Sequence, residues 1–165
     1  NKLNFHWALE ALEENSYSSK DDISDETTLS KTLDDATDDT SAHNQSSIVF
    51  LLETDEKQKF LFTGDAGRDA FNHVPQTLLG KVKDVTWMKV PHHGSKHNLD
   101  STIIKHVNPE IAYISTEKQG KYLNRSTVFA LKKNGTKVYS TSQNRSTIRH
   151  GAIKTREGWT KIEPM

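Results

Sequence analysis

The stretch KFLFTGDAGRDAFNHVPQTLLGKVKDVTWMKVPHHGS, residues 59–95, determines the fold class. It contains two apolar segments, KFLFTG (59–64) and VKDVTWMKV (82–90), whose β-branched and aromatic residues are typical of strands. Residues 67–79 between them have the pattern of a helix that Pro75 would kink or divide. A strand, a helix and a second strand joined by short connections predict an α/β sheet.

The same alternation continues on both sides of this stretch. Upstream, the apolar segment SIVFLLE (47–53) is joined to the first strand by the polar turn TDEKQ, which predicts a β-hairpin or two adjacent strands. Trp87 lies in the second strand and is expected in the core. The downstream predictions are helices near 99–107 and 126–133 and strands at 111–115, 137–141, 147–154 and 158–162. The expected architecture is a mixed sheet flanked by helices.

The first third of the chain differs in composition from the rest. LNFHWALEALEE (3–14) has apolar residues at helical spacings and predicts an amphipathic helix within residues 1–15. Residues 16–43 are rich in Ser, Thr and Asp and predict an acidic flexible linker or insertion. Residues 44–165 are then the folded α/β unit.

Composition limits the chemistry that this chain can perform. The 165 residues include no cysteine, so disulfides and thiolate ligands are excluded and any metal must bind His, Asp, Glu or Asn. No apolar run reaches the roughly 20 residues of a membrane span, and a cytoplasmic location is expected. Residues 1–40 hold eleven acids and three bases, whereas 81–161 hold sixteen bases and five acids. This bias favours a phosphate-rich partner for the second part, although a solvated lysine-rich surface explains it equally well.

Two motifs follow predicted strands, where ligands gather in α/β sheets. In TGDAG (63–67), Asp65 directly follows a strand and small neighbours allow a tight turn; an ordinary turn or helix N-cap is the simpler interpretation. In VPHHGS (90–95), His92 and His93 follow the next strand, and a loop-exposed pair is the alternative. In an extended segment these two side chains would point in opposite directions, so that one would face a metal and the other a substrate or a supporting group.

Together these motifs resemble a known superfamily. Asn44-x-x-Ser47 before a strand, then FLFTGDA, VPHHGSKHNLDS and PEIAYIS, is similar to the second half of the metallo-β-lactamase superfamily, in particular to the hydrolase domain of the DNA-uptake competence channel and its stand-alone relatives. The resemblance covers about residues 44–141. It implies half of an αββα sandwich.

The resemblance also implies a site with two divalent ions, Zn²⁺ or Mn²⁺. Asp65 would be the bridging carboxylate, His92 and His93 would bind metal or contact the substrate, and all three would be catalytic. Paired cations lower the pKa of bound water and stabilise the oxyanion that forms. The predicted substrate contacts are Ser95, Lys96, Asn124 and Arg125, with capping of the following segment as an alternative role for Ser95 and surface exposure as one for Lys96.

Two departures from the superfamily pattern stand out. The HxHxDH signature, which supplies most metal ligands, does not occur in the sequence. Asn124-Arg125 stands where relatives often carry Gly-His-Pro, and an arginine suits phosphate better than metal. The expectation is a proteolytic or engineered fragment whose partner is the N-terminal half of the same fold; a homo-oligomer is a further option.

Three functions are therefore open at this point. The first is a metal-dependent phosphodiesterase or nuclease that acts on nucleic acid together with the other half. The second keeps the fold but hydrolyses a small ester, lactone or thioester. The third is a metal-poor domain that only binds nucleic acid or protein.

Overall fold

The computed structural model describes residues 26–117, 121–142, 146–147, 157–158, 160–161 and 164–165. The elements in chain order are α1 (Glu26–Asp34), α2 (Ala42–Gln45), β1 (Phe50–Glu53), β2 (Lys59–Phe62), α3 (Arg68–Asn72), α4 (Gln76–Leu79), β3 (Trp87–Lys89), a 3₁₀ turn (Pro91–Gly94), α5 (Ser101–Val107), β4 (Ile111–Ile114), α6 (Arg125–Lys133), β5 (Lys137–Ser140), β6 (Ser146–Thr147) and β7 (Thr160–Lys161). None of the helices in these ranges is long and apolar enough to cross a membrane.

The first five strands form one mixed sheet in the order β1-β2-β3-β4-β5. β1 and β2 are antiparallel, which confirms the predicted hairpin, and every other neighbouring pair in this sheet is parallel. Pro75 divides the predicted helix 67–79 into α3 and α4. β6 and β7 pair separately, and most of the two predicted final strands lies outside the described residues. The mixed α/β sheet flanked by helices is confirmed.

One face of the sheet carries the hydrophobic core. Leu61, Met88 and Val138 point to this face from three strands and are almost fully buried. They belong to one cluster with side chains of α1, α3, α5 and α6, including Leu33 and Leu131. Each parallel strand pair needs a crossover helix, and these helices supply the apolar residues that cover this face.

The opposite face carries a row of aromatic rings that runs across all five strands. This aromatic ladder consists of Phe50, Phe62, Trp87, Tyr113 and Tyr139, with centroid separations of 4.6, 4.9, 5.2 and 5.4 Å between successive rings. Phe50 is 51% exposed and Trp87 is only partly buried, so Trp87 lies outside the core cluster beneath the helices.

The segment predicted as a flexible linker is folded from Glu26 onward. Residues 26–34 form α1, which packs against α5 and α6, and its Leu29 and Leu33 are buried. Apolar residues four positions apart lie on one face of a helix. These two leucines are enough to dock the helix because the neighbouring helices supply the rest of the core. The prediction of a linker is therefore corrected for residues 26–43. Residues 1–25, with the predicted helix, lie outside the described ranges.

Candidate functional site

The two predicted motifs meet at the carboxyl ends of β2 and β3. Asp65 follows β2 by three residues, and His92 follows β3 by three. The backbone N–H of His92 donates to the Gly64 carbonyl at 3.3 Å, which joins the two loops directly. Because parallel strands end at the same edge of a sheet, this adjacency follows from the topology.

Asp65 is held by its backbone and by a lysine. Its N–H donates to the Ser47 hydroxyl at 3.1 Å, and its Oδ1 lies 3.4 Å from Lys89 Nζ. The Lys89 ammonium also donates to the Gly64 carbonyl. Gly64 has φ +55°, and a Cβ there would lie 3.0 Å from the Ser47 side chain, so both conformation and space require glycine. The tight turn predicted for TGDAG is confirmed.

The histidine turn has an unusual backbone. His92 has φ 41° and ψ 52°, and His93 has φ 55° and ψ 22°, so both lie in the left-handed region. Non-glycine residues in this region cost on the order of 1–3 kcal/mol each and cluster at functional sites. The pair is therefore not an extended segment, and the expectation that the two side chains point in opposite directions is wrong. Both imidazole rings contact Tyr122, with centroids 4.3 and 6.0 Å from its ring.

His92 is fixed by a network of side chains that lies mostly outside the predicted motifs. Its Nδ1 is 3.1 Å from Asp39 Oδ2 and 3.2 Å from Asn98 Oδ1. Asn98 is fully buried, and its Nδ2 donates to Asp39 and to the carbonyls of Asp65 and Ala66. These three bonds fix the amide orientation, so that Oδ1 is the Asn98 atom facing the imidazole.

Asp39 is an ionised carboxylate in this network. Burial alone would raise its pKa, but hydrogen bonds from the Asn44 side chain, the Ser41 N–H and Asn98, together with nearby His92, hold the pKa below its ordinary value. Asn44 donates to Asp39 at 2.6 Å, and Ser47 holds Asp65, so both residues of the Asn-x-x-Ser motif support the site.

His93 is oriented by a backbone group. Its Nδ1 lies within hydrogen-bond distance of the Ser115 carbonyl, which can only accept. Nδ1 of His93 therefore carries a proton, and in the neutral tautomer Nε2 is the nitrogen without one. The carboxylate and amide oxygens around His92 imply the same tautomer there.

The predicted substrate contacts separate into buried and exposed residues. Ser95 is only 4% exposed, and its hydroxyl accepts from the His97 N–H, a contact that agrees with the alternative capping role. Asn124 is the N-cap of α6, where its Oδ1 accepts from the Ser126 N–H at 2.9 Å and from the Ser126 hydroxyl at 2.6 Å.

The basic predicted contacts remain at the surface. Lys96 is partly exposed, and Arg125 is exposed at the first position of α6. The Asn124 N–H donates to the Gly94 carbonyl at 3.1 Å, which brings this helix terminus beside the histidine turn. Arg125 therefore begins a helix that starts next to the site.

Four side chains of the site were missed by the sequence analysis: Asp39, Lys89, Asn98 and Tyr122. Asp39 lay within the acidic segment assigned to a linker. Lys89 lies in a strand between two buried residues, a position that predicts an ordinary surface lysine. For Asn98 the only signal was its place in VPHHGSKHNLDS, because a buried asparagine has no distinguishing pattern in sequence.

The described residues alone do not fit a two-metal centre. Within them, no group of three or more His, Asp and Glu side chains could hold an ion. The carboxylate of Asp65 faces an ammonium, and Asn124 Oδ1 is used as a helix cap. Asp39 and His92 provide one carboxylate and one imidazole, whereas zinc sites need at least three protein ligands.

Comparison with known proteins gives one relationship. ComE operon protein 3 of Bacillus subtilis strain 168 is 30% identical to this chain over 128 residues. These residues are 76% of this chain but only 16% of the length of that protein. No family model and no solved structure matches the chain. The predicted resemblance is thus supported as a distant relationship to part of ComE operon protein 3.

Proposed function

We propose that this chain is one half of a metal-dependent hydrolase that cleaves phosphodiesters in nucleic acid, and that its partner is the N-terminal half of the same fold. The observation that carries the proposal is the contact between the TGDAG and PHHGS loops at one sheet edge, where the His92 N–H donates to the carbonyl of Gly64, the neighbour of Asp65. The distant relationship to ComE operon protein 3 agrees with the motifs that first indicated this function.

The incomplete ligand set supports a shared site. One carboxylate and two imidazoles are donors that Zn²⁺ and Mn²⁺ accept, but the described residues hold no complete set. The remaining ligands would come from the other half, in the proposed HxHxDH segment. This chain would then supply Asp65 and the histidine turn, while its basic residues attract the phosphate backbone.

The aromatic ladder is the surface proposed to receive that half. Sheets pack face to face about 10 Å apart through interdigitated side chains, and the row from Phe50 to Tyr139 has the apolar character that such packing needs. The helices already cover the other face, so an αββα sandwich would place the second sheet here.

The test uses the whole protein that contains this chain. Metal content and cleavage of single- and double-stranded DNA and RNA are measured with Mn²⁺ or Zn²⁺, for wild type, Asp65→Asn and the exposed control Asp69→Asn. Asp65→Asn should lower the activity roughly 100-fold or more. Replacing a residue that only hydrogen-bonds to a metal ligand typically lowers activity about 10–100-fold. Full activity of Asp65→Asn would refute the role of Asp65.

A second function is favoured by one specific contact. Lys89 Nζ lies 3.4 Å from Asp65 Oδ1, where its charge neutralises the carboxylate without a metal ion. A domain that only binds nucleic acid or protein would keep this pair. Fewer than one bound ion per molecule, with nucleic-acid affinity that falls steeply with salt, would establish binding without hydrolysis.

A further inference from the structure

We infer that Asp39 is the positioning residue of His92: its carboxylate fixes the neutral imidazole as the Nδ1–H tautomer and leaves Nε2 without a proton. This inference rests on the proposed function for its consequence in catalysis. The tautomer itself is a property of the folded chain and is testable without any activity.

The contact geometry selects the tautomer. Asp39 Oδ2 is 3.1 Å and Asn98 Oδ1 is 3.2 Å from His92 Nδ1, and both atoms are acceptors. The Asn44 amide nitrogen is farther from His92 Nδ1, at 3.4 Å, and one of its two hydrogens is donated to Asp39 at 2.6 Å. Because the two nearer groups are both acceptors and one of them is charged, the contacts favour a protonated Nδ1.

The carboxylate has the stronger effect of the two acceptors. A hydrogen bond to an ionised group is roughly twice as strong as one between neutral groups. The side chains of His92 and Asp39 are 15% and 11% exposed, so solvent weakens the contact little. In general, a carboxylate that accepts from one imidazole nitrogen sets the orientation and basicity of the other.

A buried arginine holds Asp39 in place. Arg68 donates to the carbonyls of Leu33 and Lys96, and its Nη1 lies 3.1 Å from the carboxylate of Asp38, the neighbour of Asp39. These contacts join the end of α1 to the loop that follows the histidine turn. The Asp39 N–H also donates to the His97 carbonyl at 3.1 Å. The acidic segment is therefore anchored on both sides of the carboxylate.

The first experiment measures the tautomer of His92 by ¹⁵N NMR of the imidazole ring, at a pH where the ring is neutral. Wild type should have a protonated Nδ1 and a bare Nε2. Asp39→Ala should shift the population toward the Nε2–H form, Asp39→Asn should shift it less because an amide oxygen can still accept, and the exposed control Asp35→Ala should leave it unchanged.

Two outcomes would overturn the inference: a wild-type His92 that is already Nε2–H, or an Asp39→Ala variant that is folded and has the wild-type tautomer. If Asp39→Ala does not fold, Asp39→Asn decides the question, because it preserves the shape of the side chain. An unchanged tautomer in that variant would then refute the role of Asp39.

The second experiment measures kcat/KM of the whole protein on nucleic acid. Asp39→Asn should lose about 10-fold to 100-fold, and Asp35→Ala should not change. A protein with no hydrolase activity but with the expected tautomer change would refute the proposed function and leave the positioning role intact. An active protein whose tautomer and kcat/KM both ignore Asp39→Asn would refute only the positioning role.

Discussion

Replacement of Arg68 by methionine should destabilise the fold strongly, because this guanidinium joins three segments from inside the protein. Its Nε donates to the Leu99 carbonyl at 3.2 Å, and its Nη2 donates to the carbonyls of Leu33 at 2.8 Å and Lys96 at 3.1 Å. Methionine preserves much of the apolar stem and removes every donor. The three carbonyls then lose this donor, and among the described residues only the Leu33 carbonyl keeps a second one, the Ala36 N–H at 3.3 Å.

The magnitude follows from the burial of each group. An unsatisfied buried carbonyl costs about 1–3 kcal/mol, and this cost falls mainly on Leu99, because the Leu33 carbonyl keeps the Ala36 N–H and Lys96 can gain water. The ion pair adds less, because the Asp38 side chain is 41% exposed, and such a pair contributes about 1 kcal/mol at most. We expect Arg68→Met to lower the free energy of unfolding by about 2–4 kcal/mol.

Urea denaturation followed by far-UV circular dichroism measures this loss directly. Asp38→Asn is the matched variant, since it removes the ion pair and keeps all three carbonyl bonds, and it should lose no more than about 1 kcal/mol. The reasoning would be refuted by an Arg68→Met loss below about 1 kcal/mol, or by equal losses in the two variants, provided that the denaturant slope is unchanged.

Two further predictions concern single side chains. Among the described side chains, the buried Thr127 hydroxyl lacks a hydrogen-bond partner, so Thr127→Val should raise the free energy of unfolding by about 1 kcal/mol in the same assay, and a loss of stability would contradict this. The second prediction follows from the lowered pKa of Asp39. Its carboxylate stabilises the folded state at pH values above its pKa in the unfolded chain, about 3.9. This contribution is lost as the pH falls through the lower pKa of Asp39 in the folded state. The difference in free energy of unfolding between wild type and Asp39→Asn should therefore be largest near neutral pH and shrink below about pH 4. Urea denaturation at several pH values measures this difference. A difference that grows toward acid pH would contradict the prediction.

The sheet was predictable because its signals are local. The apolar strands, the hairpin and the division of a helix at Pro75 all follow from short-range patterns, and each is confirmed. The actual strands are shorter than the apolar runs. Residues 82–90 contain only the strand Trp87–Lys89, although the Val90 N–H still donates to the Tyr113 carbonyl of β4.

Helix α1 was not predictable in the same way. Two apolar residues among many polar ones do not bury enough surface to order a segment, which is the reason for the linker prediction. Leu33 is fully buried only because α5 and α6 present complementary surfaces, and Arg68 binds the carbonyl of the same residue. These tertiary contacts have no signature in the segment itself.

The site was predictable in its motifs but not in its geometry. The positions of Asp65 and His92 at neighbouring strand ends follow from alternation along the chain. The left-handed turn at His92 and His93 does not, because non-glycine residues adopt it only when surrounding contacts compensate for the strain. The position of Trp87 was not predictable either, since a strand pattern does not reveal which face of a sheet the helices cover.

The strain in the histidine turn connects stability to function in this chain. Two left-handed histidines cost on the order of 2–6 kcal/mol together, and the compensating contacts come from Gly64, Asp39 and the Asn124 N–H. These are also the contacts that orient the imidazoles. Any substitution that loosens them lets the turn relax and lowers both site order and fold stability. A loss of activity at Asp39 is therefore meaningful only beside a measured stability, and the His92 tautomer separates the two effects.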